Sequence, residues 1–477
     1  MKVIKNAAWL SISRASTDAL SFLLFTIIAR MFGPAGSGEY SYAFATGMLL
    51  TLFVTCGLEE YGIRQYARAA AQERPRLWED LLSAQCLQFV LGCIAFALLA
   101  LSGLVQPSRW IVVLEIAAYL VGWMVARTLF IPAMAAQAMM SPALIDLACR
   151  LSAIICALLL AVLLKWPLPG LLVGFPIAGT VLVWLALRNA LAQGVKLRLS
   201  LSWPRLRRTA HGLAPFAVVD LLGQFYARTD LLLIAYFLGN ASVGLYATDV
   251  KFIEVGLLPL FMLGSAAYPL LSRHAAQDAR AFALCGRDLI RIIFFCSGWL
   301  AIGIFCFVPL LLVPVFGVKF LPAVSLVPWI AFLAVTKGIE TALYRVLYAS
   351  RQQTLYLVAL STGTALIVVL NFVLIPWFGL SGAVAAALIS TAGVDIVCAL
   401  ALARHFGRAY LPFAIARLAV AIVVALLVVE GLHRAGVGQW LTAIAGCVAF
   451  PLSGILLGLL PNPRHSHLFR QPDLAAH

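Results

Sequence analysis

Long apolar runs broken by short polar stretches fill this chain from one end to the other. A helix needs about 20 mostly apolar residues to cross the hydrocarbon core of a membrane. On that rule the pattern predicts helices over 8–32, 40–57, 81–104, 110–132, 143–164, 168–188, 213–238, 244–270, 289–315, 323–348, 355–375, 379–403, 411–432 and 437–460. Two of the breaks, 165–168 and 375–379, are only short turns bearing proline or glycine. The predicted fold class is therefore an all-α polytopic membrane protein with about 14 transmembrane helices. The start is basic, with Lys2 and Lys5, as in a secretory leader. The run behind it, however, carries Arg14 and Asp18, continues to Phe32 and lacks an Ala-x-Ala cleavage site, so it reads as an uncleaved first span.

Composition agrees with the pattern. Of 477 residues, 63% are hydrophobic and 11% charged, with a mean hydropathy of +1.00. A water-soluble globule needs more polar surface than that. The net charge of +15 changes the picture only through its location. With the N-terminus inside, the inner segments hold 20 lysines and arginines, against four outside: Arg109, Lys165, Lys319 and Arg434. This is the positive-inside bias, not a nucleic-acid footprint, and it puts both termini in the cytoplasm.

A repeat organises the runs. Ala29-Arg-Met-Phe-Gly-Pro-Ala-Gly-Ser-Gly-Glu-Tyr40 returns 206 residues later as Ala235-Tyr-Phe-Leu-Gly-Asn-Ala-Ser-Val-Gly-Leu-Tyr246, with identities at Ala29/Ala235, Gly33/Gly239, Ala35/Ala241, Gly38/Gly244 and Tyr40/Tyr246. The offset lays the first helix on the seventh. Six helices separate the copies, an even number, so both halves share one orientation as parallel repeats. The predicted organisation is a six-helix lobe (1–188), a basic cytoplasmic linker (189–212), a second six-helix lobe (213–403), two additional transmembrane helices (404–460) and a cytoplasmic tail (461–477). The linker, with Lys196, Arg198, Arg205, Arg207 and Arg208, suits either an anionic inner leaflet or a solvated connector.

Motifs of enzymes are absent: there is no HExxH, no GxSxG, no phosphate-binding GxxxxGK[ST] loop and no dinucleotide fingerprint. The ten cysteines lie mostly in apolar runs without a CxxC, and the histidines lack metal-ligand spacing. No cofactor and no metal are predicted. The chemistry left is in ionisable groups within helices. Arg30, Arg127, Arg150, Arg291, Arg345 and Arg417 lie near helix ends, where they can snorkel to headgroups. Arg14, Arg228, Lys251 and Lys337 are deeper. A cation at a helix centre costs about 2.5–3.5 kcal/mol on insertion scales, so it faces a partner or a wet cavity. Arg14 with Asp18, Lys251 with Glu254 and Lys337 with Glu340 can each neutralise on one helix face. Arg228 has Asp230 on another face and Asp220 two turns back, so it needs a partner from elsewhere. Fixed cations in a central cleft suit an anionic substrate such as a diphosphate. The acids Asp220, Asp230, Asp249, Glu254 and Glu340 are candidates for coupling to an ion gradient, and Asp395 reads as structural.

These positions carry a resemblance. Asn6-Ala-Ala-Trp9, Ala29-Arg-x-Phe-Gly33, Gly38-x-Tyr40, Gly57-Leu58 with Arg64, Arg228-Thr-Asp230, Gly244-Leu-Tyr246, and Asn371 followed by Gly379-Leu-Ser-Gly382-Ala resemble the polysaccharide-exporter and oligosaccharide-flippase (Wzx-like) family over about residues 1–400. That family shares a superfamily with multidrug (MATE) exporters and lipid II flippases. The resemblance implies two lobes working by alternating access in the bacterial inner membrane, and transfer of undecaprenyl-diphosphate-linked sugars for O-antigen, capsule or exopolysaccharide assembly. It also implies a lipid-linked glycan as substrate and polymerase and chain-length proteins as partners. Lipid II flippases carry a helix-1 arginine sixteen residues before the arginine of the turn, as Arg14 precedes Arg30. Their helix-8 Tyr-Ala-Asp-Arg-x-x-Glu is matched, with one inserted residue, by Tyr246-Ala-Thr-Asp-Val-Lys251-Phe-Ile-Glu254. Their second helix-1 arginine is replaced by Leu20, which points to a glycan other than lipid II. A cation-coupled drug exporter is the first alternative. A membrane polymerase or ligase is the second, disfavoured by the short outer loops.

Overall fold

In the computed structural model, the described residues are 2–70, 72–102, 109–136, 138–160, 167–200, 202–350, 352–407 and 410–461, with side chains from residue 15 onward except 276, 404 and 405. The chain is all helical among these residues. In order, its helices are α1 (Lys2–Thr55), α2 (Leu58–Arg68), α3 (Arg74–Leu101), α4 (Trp110–Leu129), α5 (Ile131–Ala135), α6 (Met140–Leu159), α7 (Leu168–Leu172), α8 (Gly174–Ala192), α9 (Trp203–Leu238), α10 (Asn240–Gln277), α11 (Ala279–Phe316), α12 (Val327–Ala349), α13 (Gln353–Phe406), α14 (Tyr410–Arg434) and α15 (Gln439–Leu456). A 3-10 segment, Val318–Leu326, precedes α12.

Eleven stretches of the described helices are long and apolar enough to cross a membrane. The longest, Ala15–Arg68 and Gln353–Ala403, have 54 and 51 residues. Each holds two of the predicted segments, joined at a non-helical glycine, Gly33 or Gly379. The predicted break at 375–379 is thus a kink within a continuous run; of the break at 165–168, residues 165 and 166 lie outside the described residues and Leu168 begins α7. Some helices start earlier than apolar length predicts: α3 at Arg74 and α9 at Trp203. Helix satisfies the backbone within its own segment, so it continues past the hydrocarbon edge with charged side chains outward.

Two compact units divide the chain, Met1–Gly244 and Leu245–His477. In the first, Leu58, Trp78, Leu81, Ile131, Leu182 and Leu213 form a buried cluster that gathers α2, α3, α5, α8 and α9. Ahead of α9, Ser200 donates its amide to Ser83 Oγ (2.8 Å), and within α9 Arg205 pairs with Asp80 (2.8 Å). In the second unit α11 is central. Gly338 of α12 lies flat against Ser297, and Gly298 packs on Phe450 and Leu418, so small residues let these backbones approach. Outward faces are apolar, as at Leu98, Leu400 and Leu427, which suits lipid.

Asp278 caps α11 by accepting from the amides of Arg280 (2.8 Å) and Ala281 (3.1 Å). Those two N–H groups, Ala281 first, hold its carboxyl below the ordinary carboxylate range. The cap is therefore present above the unfolded carboxylate range and is lost as pH falls through the lowered folded value. Asp278→Ala is expected to speed amide exchange at Arg280 and Ala281, relative to the intrinsic rates. In the parent the same acceleration should appear only at acid pH. Unchanged protection in the variant would show that the cap does not hold the turn.

Candidate functional site

The site in the first unit is built on one pair of antiparallel limbs: α1 beyond Gly33, and α9. Gly33 (φ 68°, ψ −165°) and its repeat partner Gly239 (φ 80°, ψ 175°) adopt the same left-sided conformation, which a side chain would strain. Each turns the chain directly into the next helix. The two turns meet. A Cβ on Gly38 would fall on the Asn240 carbonyl, and one on Gly244 would fall on that of Pro34. Ser37 and Val243 are fully buried at this contact.

Eleven residues beyond Gly33 stands Phe44, and eleven before Gly239 stands Arg228. At 1.5 Å per residue both sit roughly 16 Å from the turns, about half the thickness of a bilayer core. The Arg228 guanidinium lies 5.4 Å from the centre of the Phe44 ring, a cation–π distance. The partner that Arg228 needed is thus, at least in part, an aromatic face on α1.

At the far end of the limbs, Gly57 (φ 70°) donates its amide to Asp220 Oδ2 at 2.9 Å, and Cys56 Sγ lies 3.3 Å from the Ala217 carbonyl. Here a cavity of about 110 Å³ is lined by Cys56, Glu59, Glu60, Arg127, Asp220 and Gln224, among others. Arg127 Nε is ion-paired with Glu59. Three acids against one arginine make this cavity negative, so it suits a cation or a proton better than a phosphate.

Of the residues singled out in the sequence, Arg228 and Asp220 therefore lie on α9 at two levels of the same limb pair. The side chain of Arg14 lies outside the described residues. Asp230 accepts from the amide of Leu231 at 2.7 Å. In the second unit, Lys251 pairs with Glu254 (2.6 Å) and Lys337 with Glu340 (2.8 Å), the self-neutralised arrangement that the spacing allows. Asp249 is fully buried, and neither of its oxygens has a hydrogen-bond partner among the described residues. The spacing did not find Glu59, Glu60 or Arg127. Arg127 reads in the sequence as a snorkelling helix end, and Glu59 and Glu60 fall between the predicted helices 40–57 and 81–104. The signal available was Gly57 directly before Leu58-Glu59-Glu60, where a glycine turn puts acids against the end of an apolar run.

Residues 3–275 match the family model described as "Polysaccharide biosynthesis protein", which is more than half of the chain. The chain belongs to this family. Among curated proteins none matches it in sequence. Its fold is that of a solved structure titled "Lipid II flippase MurJ, inward closed conformation", with a TM-score of 0.74 at 13% identity, covering 94% of this chain and 97% of that one. A MATE family multidrug resistance transporter of the MOP superfamily, inward-facing, aligns with a TM-score of 0.61 at 10% identity over 82% of this chain and 95% of that one. The Vibrio cholerae MATE transporter VcmN aligns with a TM-score of 0.54 at 15% identity, over 86% and 98%. At these identities the likeness is one of fold.

Proposed function

We propose that the protein is a flippase that moves an undecaprenyl-diphosphate-linked oligosaccharide from the inner to the outer leaflet of the bacterial inner membrane by alternating access. Its product feeds O-antigen, capsule or exopolysaccharide assembly. The observation that carries this reading is Arg228, a cation on α9 held against the Phe44 ring of α1, roughly 16 Å along both helices from their glycine turns. A planar guanidinium with five donors suits a diphosphate at a level that the headgroup must pass. Arg14, Lys251 and Lys337 complete the proposed set, the two lysines once their glutamates have released them. Membership of a polysaccharide family and the fold of a lipid II flippase support the substrate class. The six-helix lobes at 1–188 and 213–403, with both termini cytoplasmic, are the frame of this reading.

In this scheme the Gly38/Gly244 contact is the closed outer gate. With the native cysteines removed, Ser37→Cys with Val243→Cys is expected to cross-link and to stop surface glycan production, with recovery on reduction. Full production with the bridge closed would refute the gate. The acid-lined cavity at Gly57 favours a second reading, a cation-coupled drug exporter. That reading requires a deletion strain to become drug-sensitive while keeping its surface glycan.

A further inference from the structure

Residues 189–219, which join α8 to the body of α9, carry five lysines and arginines and no acid. The five are used differently. Arg205 is spent within the protein, on Asp80 (2.8 Å) and on Ser200 Oγ (2.9 Å). Arg208 lies within electrostatic reach of the same Asp80. Lys196, Arg198 and Arg207 are exposed and make no ion pair among the described residues.

Large apolar side chains alternate with these cations and are left uncovered. Leu197 and Leu199 are 51% and 57% exposed, and Trp203, at the start of α9, is 71% exposed. Val195, just before them, packs instead against the buried cluster of the first unit. The backbone is held to the protein at Ser200, through its amide on Ser83 Oγ, so the exposed side chains ride on a fixed support. One uncovered leucine is ordinary, but leucines and a tryptophan interleaved with lysine and arginine are the composition of a segment lying in a membrane interface. The level is right for that. Trp184 of α8 is 52% exposed, and the Arg188 guanidinium lies 4.9 Å from its ring centre. An exposed tryptophan beneath a snorkelling arginine marks the edge of the hydrocarbon. From Arg188 to the end of α8 at Ala192 is roughly 6 Å, and the headgroup layer is about 5–7 Å deep on each side of the core. The exposed segment therefore begins at headgroup level.

We infer that Lys196–Trp203 is an interfacial anchor for anionic lipid headgroups, with Lys196, Arg198 and Arg207 on the headgroups and Leu197, Leu199 and Trp203 in the acyl boundary beneath them. Charge complementarity selects the anionic lipid. A stretch without a single acid offers nothing to the ammonium half of a zwitterionic headgroup, whereas its three unpaired cations match a net negative surface. The anchor leads directly into α9, so the charge of the leaflet helps to hold the start of the helix that carries Asp220 and Arg228. It rests on the membrane-spanning fold and not on the transport reading.

The test is hydrogen–deuterium exchange of the full chain in nanodiscs of phosphatidylcholine, with and without phosphatidylglycerol. A basic residue near an anionic surface strengthens attachment about fivefold, so the amides of residues 196–200 should exchange roughly fivefold or more slowly with phosphatidylglycerol present. Combining Lys196→Gln, Arg198→Gln and Arg207→Gln should remove that difference while the helical amides of α8 and α9 keep their protection. Leu197→Ser with Leu199→Ser should shrink it although every charge remains. Equal exchange of the parent in the two nanodiscs would overturn the proposal and make the segment a solvated connector. Slowing by phosphatidylglycerol that survives the triple variant would also overturn it, because the lipid would then be acting elsewhere. No glycan substrate enters the experiment, so its failure leaves the flippase reading intact, and failure of that reading leaves the anchor in place.

Discussion

Arg228→Ala is expected to abolish surface glycan while leaving the amount of protein in the membrane unchanged. Losing a desolvated charge partner of a diphosphate costs about 2–5 kcal/mol, and each ~1.4 kcal/mol is tenfold. Transport should therefore fall by a factor of roughly 30 or more. Arg228→Lys keeps the charge but loses the planar fork and its stacking on Phe44, so it should give an intermediate level. Quantifying surface glycan beside immunoblots of the membrane fraction checks both points. Normal glycan in Arg228→Ala would remove the cation from the transport path.

The second large effect is on stability. Arg127 and Glu59 have side-chain exposures of 35% and 13% beside the cavity. Breaking a buried pair from one side leaves the other charge uncompensated, at about 3–5 kcal/mol. Partial access from the cavity places this pair at the low end, about 3 kcal/mol. Arg127→Met alone should lower the thermal unfolding midpoint in detergent markedly, because Glu59, Glu60 and Asp220 are then left facing one another. Adding Glu59→Gln should restore most of the loss, since removing both charges leaves nothing to compensate. A double variant no better than Arg127→Met would mean that packing, not charge, is what Arg127 contributes.

The helices were legible because lipid leaves the backbone no alternative to helix, so length and hydropathy settle most of the segments. The turn repeat was legible for a related reason. Gly33 and Gly239 share one backbone conformation, and Gly38 and Gly244 share one close approach to a carbonyl, so the same residue is demanded twice. The i,i+3 pairs of Lys251 and Lys337 followed from helical spacing alone. What spacing cannot carry is a contact between helices distant in sequence. Glu59 with Arg127 and Gly57 with Asp220 join elements whose proximity depends on packing. The continuation of α9 back to Trp203 was hidden for a different reason. Its charged first turns fail a hydropathy rule, although they still complete helical hydrogen bonds.

The central claim is movement of a lipid-linked oligosaccharide between leaflets. It is tested most directly in spheroplasts by labelling the lipid-linked sugar with a membrane-impermeant reagent. The account predicts labelling in cells carrying the intact protein. In the deletion strain and in Arg228→Ala, the same amount of lipid-linked sugar should be made but stay inaccessible in the inner leaflet. Equal labelling in all three would contradict it.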